Sequence, residues 1–172
     1  MMLERINKKS DNLYAEMLTK VISAEHFGSG ASTESGLELI SGILDQGLQV
    51  DTSRVQLRDA SGMASANISS AAVLSRLLHN MYHSDQQEDW LSTLPLAGNS
   101  GSIRHRFLSS PLFGNLYVKT GFVTGVRTLS GYFTAQSGTV YSFSLLTNNY
   151  LNETRVIDQL HEEILSELYE ML

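Results

Sequence analysis

The stretch Leu116-Tyr117-Val118-Lys119-Thr120-Gly121-Phe122-Val123-Thr124-Gly125-Val126-Arg127 combines a strand pattern with a set of chemically useful side chains. Its first three residues are typical of a strand end, and a lysine, a threonine and a glycine follow in a row. A lysine charge and a threonine hydroxyl bind a carboxylate, and a glycine lets a ligand backbone come close. The tripeptide is common by chance, so it predicts a carboxylate site only with a second signal. That signal lies far upstream, at Ser10-Asp11-Asn12.

The periodicity around this stretch predicts an α+β fold. A period of two residues predicts strands over 115–119, 127–135 and 140–148, with a hairpin turn at 136–138. Apolar residues at helical spacing predict helices over 11–23, 33–46, 69–83, 89–94 and 152–171, the first capped by Ser10. Helices, then an antiparallel meander, then a covering helix indicate an antiparallel sheet flanked by helices.

Size and composition exclude several classes of function. The chain has 172 residues, 42% of them hydrophobic, which suits one domain or part of one. A net charge of -6 without a basic block argues against nucleic-acid binding. Cys is absent, which excludes thiol catalysis, cysteine zinc sites and disulfides. The charged start Met1-Met2-Leu3-Glu4-Arg5 has no apolar run behind it, so we do not expect it to be a signal peptide, and no apolar run of the sequence is long enough to span a membrane.

Four blocks of the sequence resemble, in the same order, motifs of the D-alanyl-D-alanine carboxypeptidase/endopeptidase family, the class C low-molecular-mass penicillin-binding proteins. The second block departs from the family's D-G-S-G-L-S-R-x-N loop at Ala60, Met63, Ala64 and Ser65. The other three resemble the Ser-x-Asn block, the L-P-x-A-G-x-x-G-T-L-x-x-R-F block and the A-K-T-G-T strand. The four blocks span residues 9–16, 59–67, 94–107 and 118–132. The resemblance implies a single partial domain over 1–172, the C-terminal portion of a β-lactamase/transpeptidase-like fold.

The resemblance also implies roles for six residues. As catalytic groups, Ser10 would relay a proton to the leaving amine, Asn12 would bind the substrate amide, and Lys119 would hold Ser10 by a hydrogen bond and supply positive potential. As substrate-binding groups, Thr120 would bind the D-Ala carboxylate, Gly121 would leave room for it, and the Phe122 backbone N–H would donate to the oxyanion. Phe122 replaces the usual threonine of the family, so carboxylate binding would rest on Thr120, with Thr124 as a candidate second hydroxyl.

The nucleophile motif of the family, Ser-x-x-Lys, is absent. The residues three positions before the four lysines are Arg5, Ile6, Met17 and Leu116, and none is a serine. We therefore expect the chain to be a C-terminal fragment that is inactive alone. Its parent would be a periplasmic serine peptidase that acts on peptidoglycan stem peptides and binds β-lactams, without a metal or cofactor. Missing strands would leave a sheet edge uncovered, from which we expect a homo-oligomer.

Several alternatives remain open at this level. The chain could be a noncatalytic module that binds cell-wall peptide or a partner, or a degenerate gene product without a selected function. Ser10 could be no more than a helix cap, and Asp59 to Gly62 could be a plain turn. His79 and His83 have metal-ligand spacing, but no third ligand is suggested, so a solvated helix face is the favoured interpretation. Arg104 and Arg106 are expected to pair with carboxylates of the protein.

Overall fold

A computed structural model of the chain describes residues 2–47 and 51–172. Six helices and three strands make up its regular structure: α1 (Met2–Lys9), α2 (Asn12–Phe27), α3 (Thr33–Gly42), α4 (Ala71–Tyr82), α5 (Gln87–Thr93), β1 (Leu116–Val123), β2 (Val126–Thr134), β3 (Val140–Asn148) and α6 (Thr154–Met171). Short 3₁₀ turns lie at Gly28–Gly30, Thr52–Arg54 and Gly101–Ile103, and a wider helical turn, Ile43–Gly47, follows α3. No helix in the described part of the chain is long and apolar enough to cross a membrane.

The three strands form one antiparallel sheet in the order β1-β2-β3, and helices cover both of its faces. On one face, α6 packs through Leu165 against the largest apolar core, with the loop residues Ile103 and Phe107. On the other face, α4 and α5 pack around Leu78, Leu94 and the ring of Tyr132. The predicted α+β layout is therefore confirmed, because each face of the sheet buries apolar side chains under a helix.

The structure corrects three predictions near the chain start and in β1. The helix α1 was not predicted, because its eight residues include only three apolar side chains. Ser10 is not the cap of the next helix: Asp11 occupies that position and accepts a hydrogen bond from the N–H of Tyr14. The helix then continues to Phe27, four residues past the predicted end. Strand β1 also runs on to Val123, four residues past the predicted end, so Thr120 and Gly121 lie within the strand as Lys119 does.

Other boundaries agree with the prediction to within a few residues. Strand β3 has the predicted bounds. Strand β2 begins one residue before its predicted start, and α6 begins two residues after its predicted start. The predicted helix over 33–46 divides at Gly42, where a wider turn replaces regular α-helix. Ser70 caps α4, its side chain accepting a hydrogen bond from the N–H of Val73, so the helix itself begins two residues after the predicted start at 69.

A partly buried ionic cluster fixes α6 on the sheet. The Arg127 guanidinium from β2 donates two hydrogen bonds to Asp158, at 2.7 and 3.0 Å. Arg106 binds Asp158 at 2.9 Å and Glu162 at 2.7 Å, as expected for an arginine paired within the protein. Arg104, by contrast, donates to the ring of His105. The cluster therefore joins the sheet, the loop before β1 and α6, with Asp158 shared by both arginines.

Within this cluster, His161 should make the folding stability depend on pH. The residue is 1% exposed, its Nε2 lies 2.8 Å from the Thr147 hydroxyl, and its Nδ1 has no hydrogen-bond partner among the described residues. Burial, reinforced by the charge of Arg106, lowers the pKa of His161 below the value of 6.5 that applies to the unfolded chain. The unfolded state therefore binds the proton first as the pH falls. We expect the free energy of unfolding to decrease below about pH 6.5, by up to about 1.4 kcal/mol per pH unit.

Urea unfolding between pH 7.5 and 5 measures this dependence. The substitution His161→Gln should make the free energy of unfolding nearly independent of pH between pH 6.5 and 5. Gln keeps a polar group near Thr147 but does not titrate. The matched control is His83→Gln, because His83 is exposed. If the free energy of unfolding fell with pH equally steeply in wild type and in His161→Gln, His161 would not be the source of the pH dependence.

Candidate functional site

Lys119 lies at the centre of the predicted site and joins its two halves. Its Nζ donates to Ser10 Oγ at 2.9 Å, a contact between residues 109 positions apart in sequence. The same Nζ donates to the carbonyl oxygen of Thr120 at 2.6 Å. The structure thus brings together the lysine of β1 and the serine upstream of α2, with the hydrogen bond that the resemblance implies.

Ser10 is held at the junction of α1 and α2 in a backbone conformation that serine seldom adopts. Its φ of 53° lies in the left-handed region. Two contacts fix the helix before it: Asn7 donates from its buried amide to Thr93 Oγ1 of α5 at 2.8 Å, and the carbonyl of Lys8 lies against Gly101. A Cβ at Gly101 would lie 3.0 Å from that carbonyl, so only a glycine fits there without displacement. These contacts place the exposed Ser10 hydroxyl beside Lys119.

The ammonium of Lys119 is partly buried, and this changes its acidity. Burial, assisted by the positive charge of Arg127, lowers the pKa of Lys119 from 10.5 to about 8. No carboxylate in the described part of the chain forms an ion pair with Lys119 that would offset this effect. A substantial neutral fraction therefore exists near pH 8, so the amine can accept as well as donate a proton.

A cavity of about 200 Å³ opens beside Lys119 on the α4 and α5 side of the sheet. Lys119, Thr120, Thr128 and Ser130 form its polar wall. Its remaining lining comes from Asn7 and from apolar side chains of the helices, namely Leu74, Leu77, Leu78, Trp90 and Leu94. The site is therefore amphipathic, with a cationic end and an apolar interior.

Thr120, which also borders this cavity, has a hydroxyl partner that the sequence did not indicate. The residue is 7% exposed, and its Oγ1 lies 2.8 Å from Ser102 Oγ. Ser102 belongs to the turn after Gly101 and is itself exposed. The sequence could have pointed to Ser102 through its position in the third block, because the family has a threonine at this place in the G-T-L segment. The pair of hydroxyls therefore links β1 to that turn.

Gly121, Phe122 and Asn12 complete the predicted set. A Cβ at Gly121 would overlap the hydroxyl of Thr128 on β2, so a larger residue there would require the Thr128 side chain to shift. The Phe122 side chain is 56% exposed, with the guanidinium carbon of Arg127 5.9 Å from its ring centroid. Asn12 is exposed at the first residue of α2. The structure places these residues but does not test the roles predicted for them.

The second block forms an ordered loop next to α2. Glu16 accepts hydrogen bonds from the N–H groups of Ala60 and Ser61, at 3.0 and 2.8 Å. Asp59 accepts from the N–H of Gly62, from the N–H of Ala64 and from Asn67 Nδ2, each within 2.8 Å. This loop is more than a plain turn, because α2 and its own aspartate both hold it in place.

His79 and His83 lie side by side on α4, with ring centroids 4.5 Å apart. They border a cavity of about 240 Å³ together with Tyr82, Tyr132 and Ser142. Among the described residues, no cluster of three or more His, Cys, Asp or Glu side chains is placed to hold a metal ion. Within the described part of the chain, the two histidines therefore have no third His, Cys, Asp or Glu side chain placed to complete a metal site.

Comparison with known proteins gives a consistent result. A profile of the family described as D-Ala-D-Ala carboxypeptidase 3 (S13) matches residues 1–166. A D-alanyl-D-alanine carboxypeptidase of Actinomadura sp. (strain R39) is 34% identical over 148 residues, which is 83% of this chain and 27% of that protein. The chain thus spans less than a third of the length of the first curated relatives that it matches.

Solved structures extend the comparison to the fold. Penicillin binding protein 4 (dacB) from Haemophilus influenzae, complexed with a novel β-lactam, matches with a TM-score of 0.89 and 28% identity, over 98% of this chain and 41% of that chain. The TLA-3 extended-spectrum β-lactamase matches with a TM-score of 0.71 and 15% identity, over 99% of this chain and 62% of its own. At that identity the second match shows the fold alone. The predicted β-lactamase/transpeptidase-like fold is confirmed.

Proposed function

Because the chain belongs to the D-Ala-D-Ala carboxypeptidase 3 (S13) family, we propose that it is the C-terminal part of a serine D,D-carboxypeptidase or endopeptidase. The parent enzyme would cleave D-Ala-D-Ala or cross-link peptide bonds in peptidoglycan, bind β-lactams and act in the periplasm. The observation that carries the proposal is the hydrogen bond between Lys119 and Ser10, at 2.9 Å. It joins two motifs 109 residues apart around an amphipathic cavity.

In this function the chain contributes binding and proton relay, but no nucleophile. Lys119 supplies a positive charge for the substrate carboxylate and fixes the Ser10 hydroxyl, which passes a proton to the leaving amine. Thr120 offers its hydroxyl to the carboxylate, oriented by Ser102 at 2.8 Å. Ser-x-x-Lys does not occur in the sequence, so the chain alone would bind substrate without cleaving it.

Replacement of the Thr120 hydroxyl should weaken peptide binding. We expect the amide resonances of residues 119–122 to shift when diacetyl-L-Lys-D-Ala-D-Ala is titrated into the labelled chain. In Thr120→Val the dissociation constant should rise about 10- to 100-fold, since a hydrogen bond to a charged group contributes about 1.5–3 kcal/mol. Heteronuclear NMR measures both effects.

Two controls make this experiment specific. Thr139→Val removes an exposed hydroxyl from the distant turn between β2 and β3 and should bind like wild type. The same peptide with an amidated C-terminus should bind weakly, because it lacks the carboxylate. Equal binding of the acid and the amide would contradict a carboxylate site.

The alternative function is a noncatalytic module that binds cell-wall peptide or a partner. It is favoured by the fact that the Lys119 and Ser10 contact is complete in a chain without Ser-x-x-Lys. The two functions differ in one feature, which is whether an in-frame Ser-x-x-Lys is encoded upstream of the Met1 codon. Sequencing the genomic DNA immediately 5′ of that codon distinguishes them.

We also propose that the chain associates with a second copy through the outer edge of β3. That edge has no paired strand among the described residues. The nine residues of β3 include neither a charged residue nor a proline, the features that usually protect an edge. Light scattering at tens of micromolar should therefore report an oligomer, and a monomer would count against this proposal. The matched variant Ser142→Lys, which puts a charge on β3, should shift the chain toward monomer.

A further inference from the structure

Ser10 and Lys119 have the geometry of a nucleophile and its base. The Oγ and Nζ atoms are 2.9 Å apart, within the range in which a base takes a proton from a hydroxyl. Ser10 is exposed, so an external reagent can reach its hydroxyl. Its φ of 53° places it on a sharp turn between two helices, the kind of strained position at which nucleophilic serines occur.

We propose that Ser10 and Lys119 act as a nucleophile and base pair in the 172-residue chain, and that the pair hydrolyses activated carboxylic esters through an acyl-Ser10 intermediate. This activity differs from the proposed function, in which Ser10 only relays a proton. It requires neither Ser-x-x-Lys nor recognition of a D-Ala carboxylate.

The surroundings of Lys119 suit a base. Arg127 of β2 is the charged group that acts on it, and the helices α4 and α5 present Leu74, Leu77, Leu78 and Trp90 to the shared cavity. Asp11, next to Ser10, is already bound by Arg5 at 2.8 Å and so does not hold the lysine in its charged form. Burial and the charge of Arg127 lower the pKa of Lys119 to about 8, so half of the lysine is neutral at that pH.

The cavity indicates the class of ester. Its volume of about 200 Å³ and its leucine and tryptophan lining suit a short aliphatic or aromatic group. Ser130, which pairs with Lys119 across β1 and β2, and Thr128 also line the cavity with their hydroxyl-bearing side chains. An ester of a short fatty acid with a phenol therefore places its apolar part in the cavity and its carbonyl near Ser10.

The reaction balances without a further reactant. Neutral Lys119 takes the proton of the Ser10 hydroxyl while Oγ bonds to the ester carbonyl carbon. The tetrahedral intermediate collapses, the bond to the phenol oxygen breaks, and the phenolate leaves. Lys119, now an ammonium, releases its proton to solvent. Water then attacks the acyl carbonyl carbon while neutral Lys119 takes its proton. The tetrahedral intermediate collapses, the bond between the carbonyl carbon and Ser10 Oγ breaks, and the Lys119 ammonium returns the proton to Oγ, which leaves the carboxylic acid and the free serine.

The test is acylation by p-nitrophenyl butyrate. The chain is mixed with the ester at pH 8.5 and quenched in acid, and peptide mass spectrometry locates the butyryl group. We expect it on Ser10, at a rate that falls as the pH is lowered through about 8, because protonation of Lys119 removes the base. Lys119→Arg keeps the charge but cannot act as a base, and should slow the labelling of Ser10 about 100-fold.

Controls separate this chemistry from unspecific acylation. Ser10→Ala should lose the label at this position, and Ser29→Ala, at an exposed serine of a 3₁₀ turn, should label Ser10 like wild type. Circular dichroism verifies that each variant is folded. If Ser10→Ala does not fold, mapping of the wild type and of Lys119→Arg still decides the question. Absence of a butyryl group on Ser10, or equal labelling in Lys119→Arg, overturns the proposal whether or not the chain binds D-Ala-D-Ala peptide.

Discussion

The 172-residue chain incubated with benzylpenicillin is expected to show only the mass of unmodified protein, and it should release no D-Ala from a D-Ala-D-Ala peptide. A serine peptidase that lacks its nucleophile loses about a million-fold in turnover. Here no serine lies three residues before any lysine. Intact-protein mass spectrometry and a D-Ala release assay, both at pH 8, measure the two outcomes.

The proposed ester reactivity of Ser10 is compatible with this expectation. A phenolate leaves an ester without a proton, whereas an amide nitrogen must be protonated before it leaves. If Ser10 is itself the nucleophile, its oxygen is bonded to the acyl group. Its hydroxyl is then not free to pass a proton to the leaving nitrogen. A penicillin adduct would contradict the expectation of inactivity, and its position would be informative. An adduct on Ser10 would support the nucleophile and base pair, and an adduct elsewhere would reveal a different nucleophile.

A methyl group at Gly131 should destabilise the fold more than any other single change considered for this chain. Gly131 pairs with Val118 across β1 and β2. A Cβ there would overlap the carbonyl oxygen of Tyr117 and lie 2.7 Å from the Val118 Cα, so backbone would have to move. We expect Gly131→Ala to lower the free energy of unfolding by about 3 kcal/mol, at the upper end for overpacking. The melting temperature should fall by about 6–12 °C.

The same substitution should weaken the site, because Val118 precedes Lys119 on the displaced strand. Thermal unfolding by circular dichroism and the peptide titration give the two readouts. Gly42→Ala is the matched control: it makes the same chemical change on α3, where nothing lies within 4 Å of the added Cβ. We expect Gly42→Ala to be neutral or slightly stabilising. Similar melting temperatures for the two variants would show that β1 moves aside at little energetic cost.

The accuracy of the sequence-based prediction varies from element to element for physical reasons. Strand β3 was predicted with its observed bounds, since its residues have high strand propensity and turn residues precede it. The helix α1 was missed because its own sequence buries little: Asn7 is its one buried residue, and it is buried through a hydrogen bond to Thr93. Ser10 was assigned as a helix cap because serine and aspartate both suit that position, and only the backbone path distinguishes them.

The sequence by itself determined the α+β class and the order of the four blocks, and the family resemblance of those blocks predicted the six residues of the candidate site. These are local properties, because propensity, periodicity and motif spacing are read along the chain. Only the tertiary structure decided that Lys119 lies 2.9 Å from Ser10, that burial lowers the pKa of this lysine to about 8, and that Ser102 binds Thr120. The distance, the burial of the lysine and the hydrogen bond between Ser102 and Thr120 each depend on how β1 packs against α1, α4 and the loop before it. No segment of the sequence contains that packing on its own.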